Sequence, residues 1–398
     1  MNIRSTYLIL ICIFAGLLFI ITNEYLRGYM RSPENLAKEV KSPVDSIYVY
    51  KIASQAPFKY RLLFPVVIKN TYEAAYDSPS PSGFYHIYRF WSWFFYIASA
   101  AAMFYLLNRV GFPLKYCLAG TFTFLLLPAM LFAFSLPVHT REDTLAYTLL
   151  FLGLAFLIDE RRVAFLCISL LGVLTRETLL LLPLLYFFFS NDQNWIRRFV
   201  FAGLPGILWL SVRLWMGQEK YDFWEGLRWN LENPEQVVGF VFLTFNLCWI
   251  PFLLHLIFYR RSQKENTPQL SFFYRTSLFT LAIILITTFV GGIYNEIRLL
   301  YLFSPWIIVI FVDFIWKNMD AIRTAMEARF YWLYALIASG FCAAVLYVIS
   351  KYSERIIVPG KYNVPYDQWI VITVVYFFLL LLFLPLCIKV LTLKKVTK

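Results

Sequence analysis

Long apolar runs separated by short polar links dominate the chain. A helix needs about 20 mostly apolar residues to cross a hydrocarbon core about 30 Å thick. Runs of this kind lie near residues 6–22, 86–108, 113–134, 143–158, 196–215, 237–258, 275–293, 298–316, 329–350 and 367–388. The pattern predicts an all-α, polytopic membrane protein in which residues 1–398 form a single transmembrane domain.

The stretch from Arg162 to Ser190 differs from these runs. Thr175, Arg176 and Glu177 interrupt its leucine-rich sequence with two formal charges. Two interpretations follow: two short helices that meet at a polar elbow, or one long tilted helix.

The links alternate in their content of Lys and Arg, which is the measure on which the positive-inside bias acts. With the N-terminus in the cytoplasm, every cytoplasmic link carries at least two cationic residues, whereas the short external links carry only Arg141, Arg176 and Arg298, each beside an acid. The alternation requires the stretch 162–190 to cross and return. It therefore predicts about twelve membrane segments with both termini cytoplasmic. The first run, Tyr7 to Ile21, is not followed by a small-residue cleavage site, so we predict an uncleaved helix.

Three longer stretches are predicted to be external: 23–85, 216–236 and 351–366. The first contains mixed aromatic and apolar residues between Asp45 and Asn70, which favours amphipathic helices at the membrane interface.

Composition narrows the class further. Hydrophobic residues make up 60% of the 398 residues and charged residues only 15%, against about 25% charged residues in a soluble domain. The net charge of +12 comes mostly from the short links, so membrane orientation explains it better than nucleic-acid binding does. The six cysteines fall within apolar runs without CxxC spacing, which predicts neither a disulfide framework nor a zinc site.

Four clusters of charge remain at predicted external positions. A charged side chain within the membrane costs about 2.5–3.5 kcal/mol on insertion scales, so those that persist usually face a cavity and have a function. The candidate residues are Asp45, Tyr60 and Arg61 in the first cluster, His139, Arg141, Glu142 and Asp143 in the second, Arg176 and Glu177 in the third, and Glu296 and Arg298 in the fourth.

Each cluster also has a structural interpretation. Asp45 and Arg61 suit a general base and a phosphate ligand, or a solvated acid and a snorkelling arginine. Glu142 and Asp143 suit the start of a helix, where they interact with its dipole. Arg176 and Glu177 are adjacent and need separate partners, supplied by a polar cavity, a phosphate or another helix. Glu296 and Arg298 bracket a helix start, where they suit either a grip on a lipid phosphate or helix capping and snorkelling. Four such clusters on one side favour a shared site.

The layout resembles the GT-C superfamily of integral-membrane glycosyltransferases, which use polyprenyl-phosphate sugars. Asp45 matches the acid that the family carries after its first helix, and Glu142 or Asp143 matches an acid near the start of a later helix. Leu174-Thr175-Arg176-Glu177-Thr178 is similar to a Leu-Asn-Arg-Glu-Thr phrase, and Glu296-Ile297-Arg298 precedes a helix that contains Pro305. Asp45 stands alone where the family often has paired acids.

This resemblance implies a GT-C-like bundle with its active site on the periplasmic side of a bacterial inner membrane. The implied reaction moves one sugar, with inversion, to a lipid, glycan or protein acceptor, with Asp45, Glu142 or Asp143 as base. The other candidate residues would bind substrate, with arginines on the phosphate. Such enzymes work with or without a divalent cation such as Mg²⁺ or Mn²⁺, and no metal ligand is assigned. A transporter or flippase of a lipid-linked or anionic substrate is the alternative, and a non-catalytic scaffold is a third class.

Overall fold

The computed structural model describes residues 3–25, 60–76, 81–131, 142–217, 223–232, 234–258, 267–291, 297–327, 331–341 and 344. The predicted interfacial segment before residue 60, the external stretch 351–366 and the last apolar run, 367–388, lie outside these ranges. Every regular element within them is helical, which confirms the predicted all-α class for this part of the chain.

The helices follow the apolar runs in chain order. They are α1 (Ile3–Tyr25), α2 (Leu63–Ala75), α3 (Pro81–Val110), α4 (Leu114–Leu126), α5 (Pro128–Leu131), α6 (Asp143–Ile158), α7 (Arg162–Thr175), α8 (Leu181–Phe189), α9 (Trp195–Trp215), α10 (Phe223–Glu232), α11 (Pro234–Phe245), α12 (Trp249–Phe258), α13 (Pro268–Gly291), α14 (Ile297–Leu300), α15 (Ser304–Glu327) and α16 (Tyr331–Phe341). Short 3-10 turns at Glu177–Leu180, Asn246–Cys248 and Tyr301–Phe303 join neighbouring helices.

Four segments among the described residues are long and apolar enough to cross a membrane: His86–Val110, Trp195–Trp215, Pro268–Val290 and Tyr301–Thr324. Shorter apolar helices accompany them. α1 and α9 expose many large apolar side chains, such as Ile13 and Ile207, and an exposed apolar surface of this kind suits lipid rather than water. These helices indicate a membrane protein, and the count of about twelve segments stays a prediction.

The stretch 162–190 forms a helical hairpin, so the two-helix interpretation is the correct one. α7 ends at Thr175, and a 3-10 turn leads into α8. The start of α7 and the end of α8 lie close together, because Arg162 Nε is 3.3 Å from the carboxylate of Asp192, which follows α8. The elbow, formed by Thr175, Arg176 and Glu177, therefore lies at one end of the bundle. The charged links before α7 and after α8 lie at the other end.

Charged links gather at the end of the bundle opposite the elbow. Asp159 follows α6 and pairs with Arg109, which is in the last turn of α3, at 2.7 Å. Asp192 follows α8 and pairs with Arg162 and Arg197. Three links that the charge pattern predicts on one side therefore share one end of the fold.

An aromatic core fills the bundle at the elbow end. Phe124 stacks on Tyr301 with ring centroids 5.5 Å apart, and Tyr147 meets Tyr301 edge-on at 5.2 Å. Phe245 also stacks on Tyr301, with ring centroids 5.7 Å apart. Several helices break at this level, including α4 at Leu127, whose extended backbone is the conformation that a following proline favours.

Close packing at Gly120 gives a test of the fold. A Cβ atom at Gly120 of α4 would lie 2.7 Å from Leu107 of α3 and 2.7 Å from Val312 of α15. We expect Gly120→Leu to lower the free energy of unfolding by about 1–3 kcal/mol through overpacking. Thermal unfolding of the detergent-solubilised protein measures the change.

Gly203→Leu is the matched control, because a Cβ atom at Gly203 would meet nothing within 4 Å. Removal of a helical glycine should leave that variant as stable as the parent or slightly more stable. Equal losses in both variants would contradict the packing of α4 between α3 and α15.

Candidate functional site

Arg61 bridges two glutamates that are distant in sequence. It lies just before α2 and is only 5% exposed. Its Nη1 donates a hydrogen bond to Glu142 at 2.5 Å, and its Nε and Nη2 donate to the two oxygens of Glu177 at 3.2 and 2.8 Å. The planar fork of an arginine allows this bidentate contact, which a lysine could not reproduce.

The local backbone explains how Glu142 and Glu177 reach one arginine. Glu142 occupies the position before the first residue of α6, and its side chain makes no capping hydrogen bond there. Glu177 opens the 3-10 turn after Arg176, whose backbone is extended at φ −159° and ψ 133°. This extended residue sends the side chains of Arg176 and Glu177 to different neighbours.

Arg176 forms a second ion pair with Asp143, the first residue of α6. Two adjacent pairs of charged residues therefore interlock: Glu142 and Asp143 on α6, Arg176 and Glu177 at the elbow. Together with Arg61 they form what we call the charge network. It fastens the 60–62 segment, the start of α6 and the elbow to one another.

The charge network is nearly dry and carries more carboxylates than guanidinium groups. Arg176 and Glu142 are each 1% exposed, whereas Glu177 is 25% exposed and is the member with most access to its surroundings. Burial raises the pKa of the Glu142 carboxyl, against the opposing influence of Arg61 and Arg176. Burial also works against the charge of Arg61, but Glu177 and Glu142 outweigh it and hold the pKa of the guanidinium above its ordinary value.

Apart from Tyr60, the other predicted site residues are described only in part or not at all. Asp45, His139, Arg141 and Glu296 lie outside the described residues, as does the side chain of Arg298. The backbone of Arg298 is in α14, which leads directly into Tyr301. Tyr301 packs against Tyr147, one turn after Asp143, so α14 leads toward the elbow end of the bundle.

Tyr60 leads to an arginine that our sequence analysis missed. The Tyr60 hydroxyl donates to the Gly217 carbonyl at 3.1 Å, and the guanidinium carbon of Arg213 lies 4.7 Å from the centre of the Tyr60 ring. Arg213 also lies 4.3 Å from the Trp209 ring, one turn earlier in α9. The signal was available, because Arg213 is a charge at the end of an otherwise apolar run.

A further polar cluster lies between membrane helices and was also missed. Asp313 of α15 accepts hydrogen bonds from the Tyr274 hydroxyl at 2.5 Å and from Lys317 at 3.0 Å. The His255 ring of α12 packs 4.2 Å from the Tyr274 ring. Asp313 is only 3% exposed. Its position within the run 298–316 marked it as a charge that needs partners.

The residues described here do not form a ready metal site. Among them, no group of three or more His, Cys, Asp or Glu side chains is arranged to hold a metal ion, and each carboxylate of the charge network meets a guanidinium instead. No protein family, curated protein or solved structure matches the chain.

The Arg176–Asp143 pair can be tested by removing one partner or both. Arg176→Met removes a counter-charge from the buried Asp143, so we expect a loss of about 3–5 kcal/mol in the free energy of unfolding. The double variant Arg176→Met/Asp143→Leu removes both charges and should recover most of that loss.

Chemical unfolding in detergent micelles compares the two variants with the parent protein. The exposed pair Arg323 and Glu327 is a suitable control, because its removal should change stability by less than about 1 kcal/mol. If the double variant were no more stable than Arg176→Met, the two charges would not be coupled as the geometry indicates.

Proposed function

We propose that this protein is an integral-membrane glycosyltransferase that moves a sugar from a polyprenyl-phosphate donor to a lipid, glycan or protein acceptor. In this proposal the chain crosses a bacterial inner membrane about twelve times with both termini in the cytoplasm. The elbow end of the bundle faces the periplasm. The fold is a GT-C-like bundle whose first external loop carries interfacial helices.

The observation that carries the proposal is the group of carboxylates that two arginines hold together in the buried charge network. Two guanidinium groups meet the three carboxylates of Glu142, Asp143 and Glu177. Cleavage of a glycosyl–phosphate bond develops positive charge at the anomeric carbon and its ring oxygen. A fixed and poorly hydrated carboxylate stabilises that charge more strongly than water does.

The reaction is a single displacement. The acceptor oxygen forms a bond to the anomeric carbon while the bond from that carbon to the phosphate oxygen breaks, and the phosphate leaves with the electron pair. The acceptor proton passes to a carboxylate, for which Asp45 remains the first candidate. Attack from the face opposite the leaving phosphate inverts the anomeric centre.

The contacts assign different roles within the charge network. Glu177 is the most exposed member, so it is the carboxylate best placed to face a sugar. Arg61 uses three nitrogens on Glu142 and Glu177, and Arg176 is paired with Asp143. Both arginines therefore act as positioning residues here, which leaves the phosphate to another cation.

A transfer assay tests the proposal. Purified protein is incubated with radiolabelled polyprenyl-phosphate sugars and a membrane extract as the source of acceptor. We expect Glu177→Gln and Asp45→Asn each to lower the rate by at least about 100-fold, because each removes a charge that the transition state needs. Glu327→Gln changes an exposed acid at the far end of α15 and is the matched control.

Normal transfer by both Glu177→Gln and Asp45→Asn in folded protein would remove the proposed site. If none of the polyprenyl-phosphate sugars tested served as a donor, the result would count against a glycosyltransferase.

The cluster around Asp313 favours a second candidate function, the transport of a lipid-linked or anionic substrate. Buried ionisable residues between membrane helices are typical of transporters, where they carry protons or bind coupling ions. The hydrogen bond from Tyr274 to Asp313 connects α13 with α15, and Lys317 donates to Asp313 within α15.

Asp313→Asn distinguishes the two functions. In a transporter coupled to protons, the variant should abolish the dependence of uptake on a pH gradient in proteoliposomes. In a transferase, the same variant should keep its rate of sugar transfer within about threefold, because Asp313 is not part of the charge network. Uptake of intact lipid-linked substrate by the parent protein, without bond cleavage, would favour the transporter.

A further inference from the structure

Arg213 and Trp209 present two buried nitrogen donors that lack a hydrogen-bond partner among the described residues. These are Nε of Arg213 and Nε1 of Trp209. The two side chains lie one helical turn apart on α9, with the guanidinium carbon 4.3 Å from the Trp209 ring. A buried donor without an acceptor costs free energy, so two neighbouring ones point to an absent acceptor.

Among the described residues, the guanidinium of Arg213 is held in place by aromatic rings rather than by an acid. Tyr60 lies on it at 4.7 Å and Trp209 at 4.3 Å. Stacking on aromatic faces fixes the plane of the guanidinium and leaves its N–H edge available. This contrasts with Arg61 and Arg176, which are paired with carboxylates of the charge network.

The position of α9 identifies the kind of acceptor. α9 is a candidate membrane span with Trp195 and Trp215 at its two ends, and Arg213 lies in its last turn. Tryptophan at both ends of a span is typical of the two membrane interfaces. Leu210 and Leu214, beside Trp209 and Arg213 in sequence, are exposed, so the donors lie beside a surface suited to acyl or prenyl chains.

We propose that Arg213, Trp209 and Tyr60 form a binding site for the phosphate group of a membrane lipid. Arg213 supplies the charge and a planar edge for two phosphate oxygens, Trp209 Nε1 donates a further hydrogen bond, and Tyr60 holds the guanidinium flat. The lipid tail lies along Leu210 and Leu214. That this lipid is the glycosyl donor rests on the proposed function, since Tyr60 precedes Arg61 of the charge network.

Binding is measured by calorimetry with farnesyl phosphate titrated into the full-length protein in a non-ionic detergent. Farnesol serves as the probe without phosphate and inorganic phosphate as the probe without a tail. We expect Trp209→Phe, which keeps the ring but removes the N–H, to weaken farnesyl phosphate about 5- to 10-fold, and Arg213→Gln to weaken it at least about 30-fold. Trp195→Phe at the other end of α9 is the matched control and should bind as the parent does.

Several results would overturn the inference. Unchanged affinity in both Trp209→Phe and Arg213→Gln would show that the phosphate lies elsewhere. Equal binding of farnesol would show that only the tail is recognised, and equal binding of inorganic phosphate would show a free-anion site rather than a lipid site. If Arg213→Gln does not fold, Trp209→Phe carries the test.

The binding result is separate from the result for the proposed function. Binding that depends on Arg213, without sugar transfer by the parent protein, supports the lipid-phosphate site and counts against the transferase. Sugar transfer that is unaffected in Arg213→Gln supports the transferase and shows that this site does not hold its donor.

Discussion

Buried charged side chains need partners of opposite charge. At the elbow end of this bundle, Arg61 is that partner for both Glu142 and Glu177. Removal of one partner from a buried ion pair costs about 3–5 kcal/mol, so the contacts of Arg61 with Glu142 and Glu177 fix the geometry of everything attached to them. The elbow is part of the same constraint. Adjacent side chains point in different directions even in a continuous helix, but the extended backbone at Arg176 ends α7 there, and Arg176 then reaches Asp143 while Glu177 reaches Arg61.

Below the charge network, the aromatic core makes this end of the bundle rigid where helices are interrupted. Non-helical backbone at membrane depth is tolerated only where protein covers it or where it lines a cavity. The Tyr301 hydroxyl donates to the carbonyl of Phe124 at 2.5 Å, just before α4 breaks at Leu127. At the α11–α12 break, Asn246 adopts a positive φ of 35° and its side chain accepts a hydrogen bond from Leu247 N. Polar groups at these helix breaks therefore have hydrogen-bond partners nearby. The aromatic core packs beneath the charge network and supports it.

The sequence predicted the elements of this site but not their pairing. Apolar run lengths place the helices, and Arg176 and Glu177 mark the interruption, because both are local properties. The alternation of Lys and Arg among the links then favours a hairpin over one long helix. The partners of Arg61 lie 81 and 116 residues away, and no local pattern specifies which acid an arginine meets. Arg213 was missed for a different reason: it follows a long apolar run and was counted with the end of that helix. Asp313 was missed because only acid–arginine clusters at external links were considered, whereas its partners are Tyr274 and Lys317.

The form of the charge network itself bears on the choice between chemistry and transport. A transporter must expose its substrate site to each side in turn, usually by rocking one group of helices against another. Here the first residues of α6, the elbow and the 60–62 segment are tied by ion pairs of which Arg61 alone makes two, and relative motion of these elements would leave buried charges unpaired. Catalysis gains from the same rigidity, because dipoles and charges already oriented toward the transition state need no reorganisation during the reaction. A fixed network at one end of the bundle, close to an arginine held between aromatic rings, therefore fits bond-making at a stationary site better than passage through the membrane.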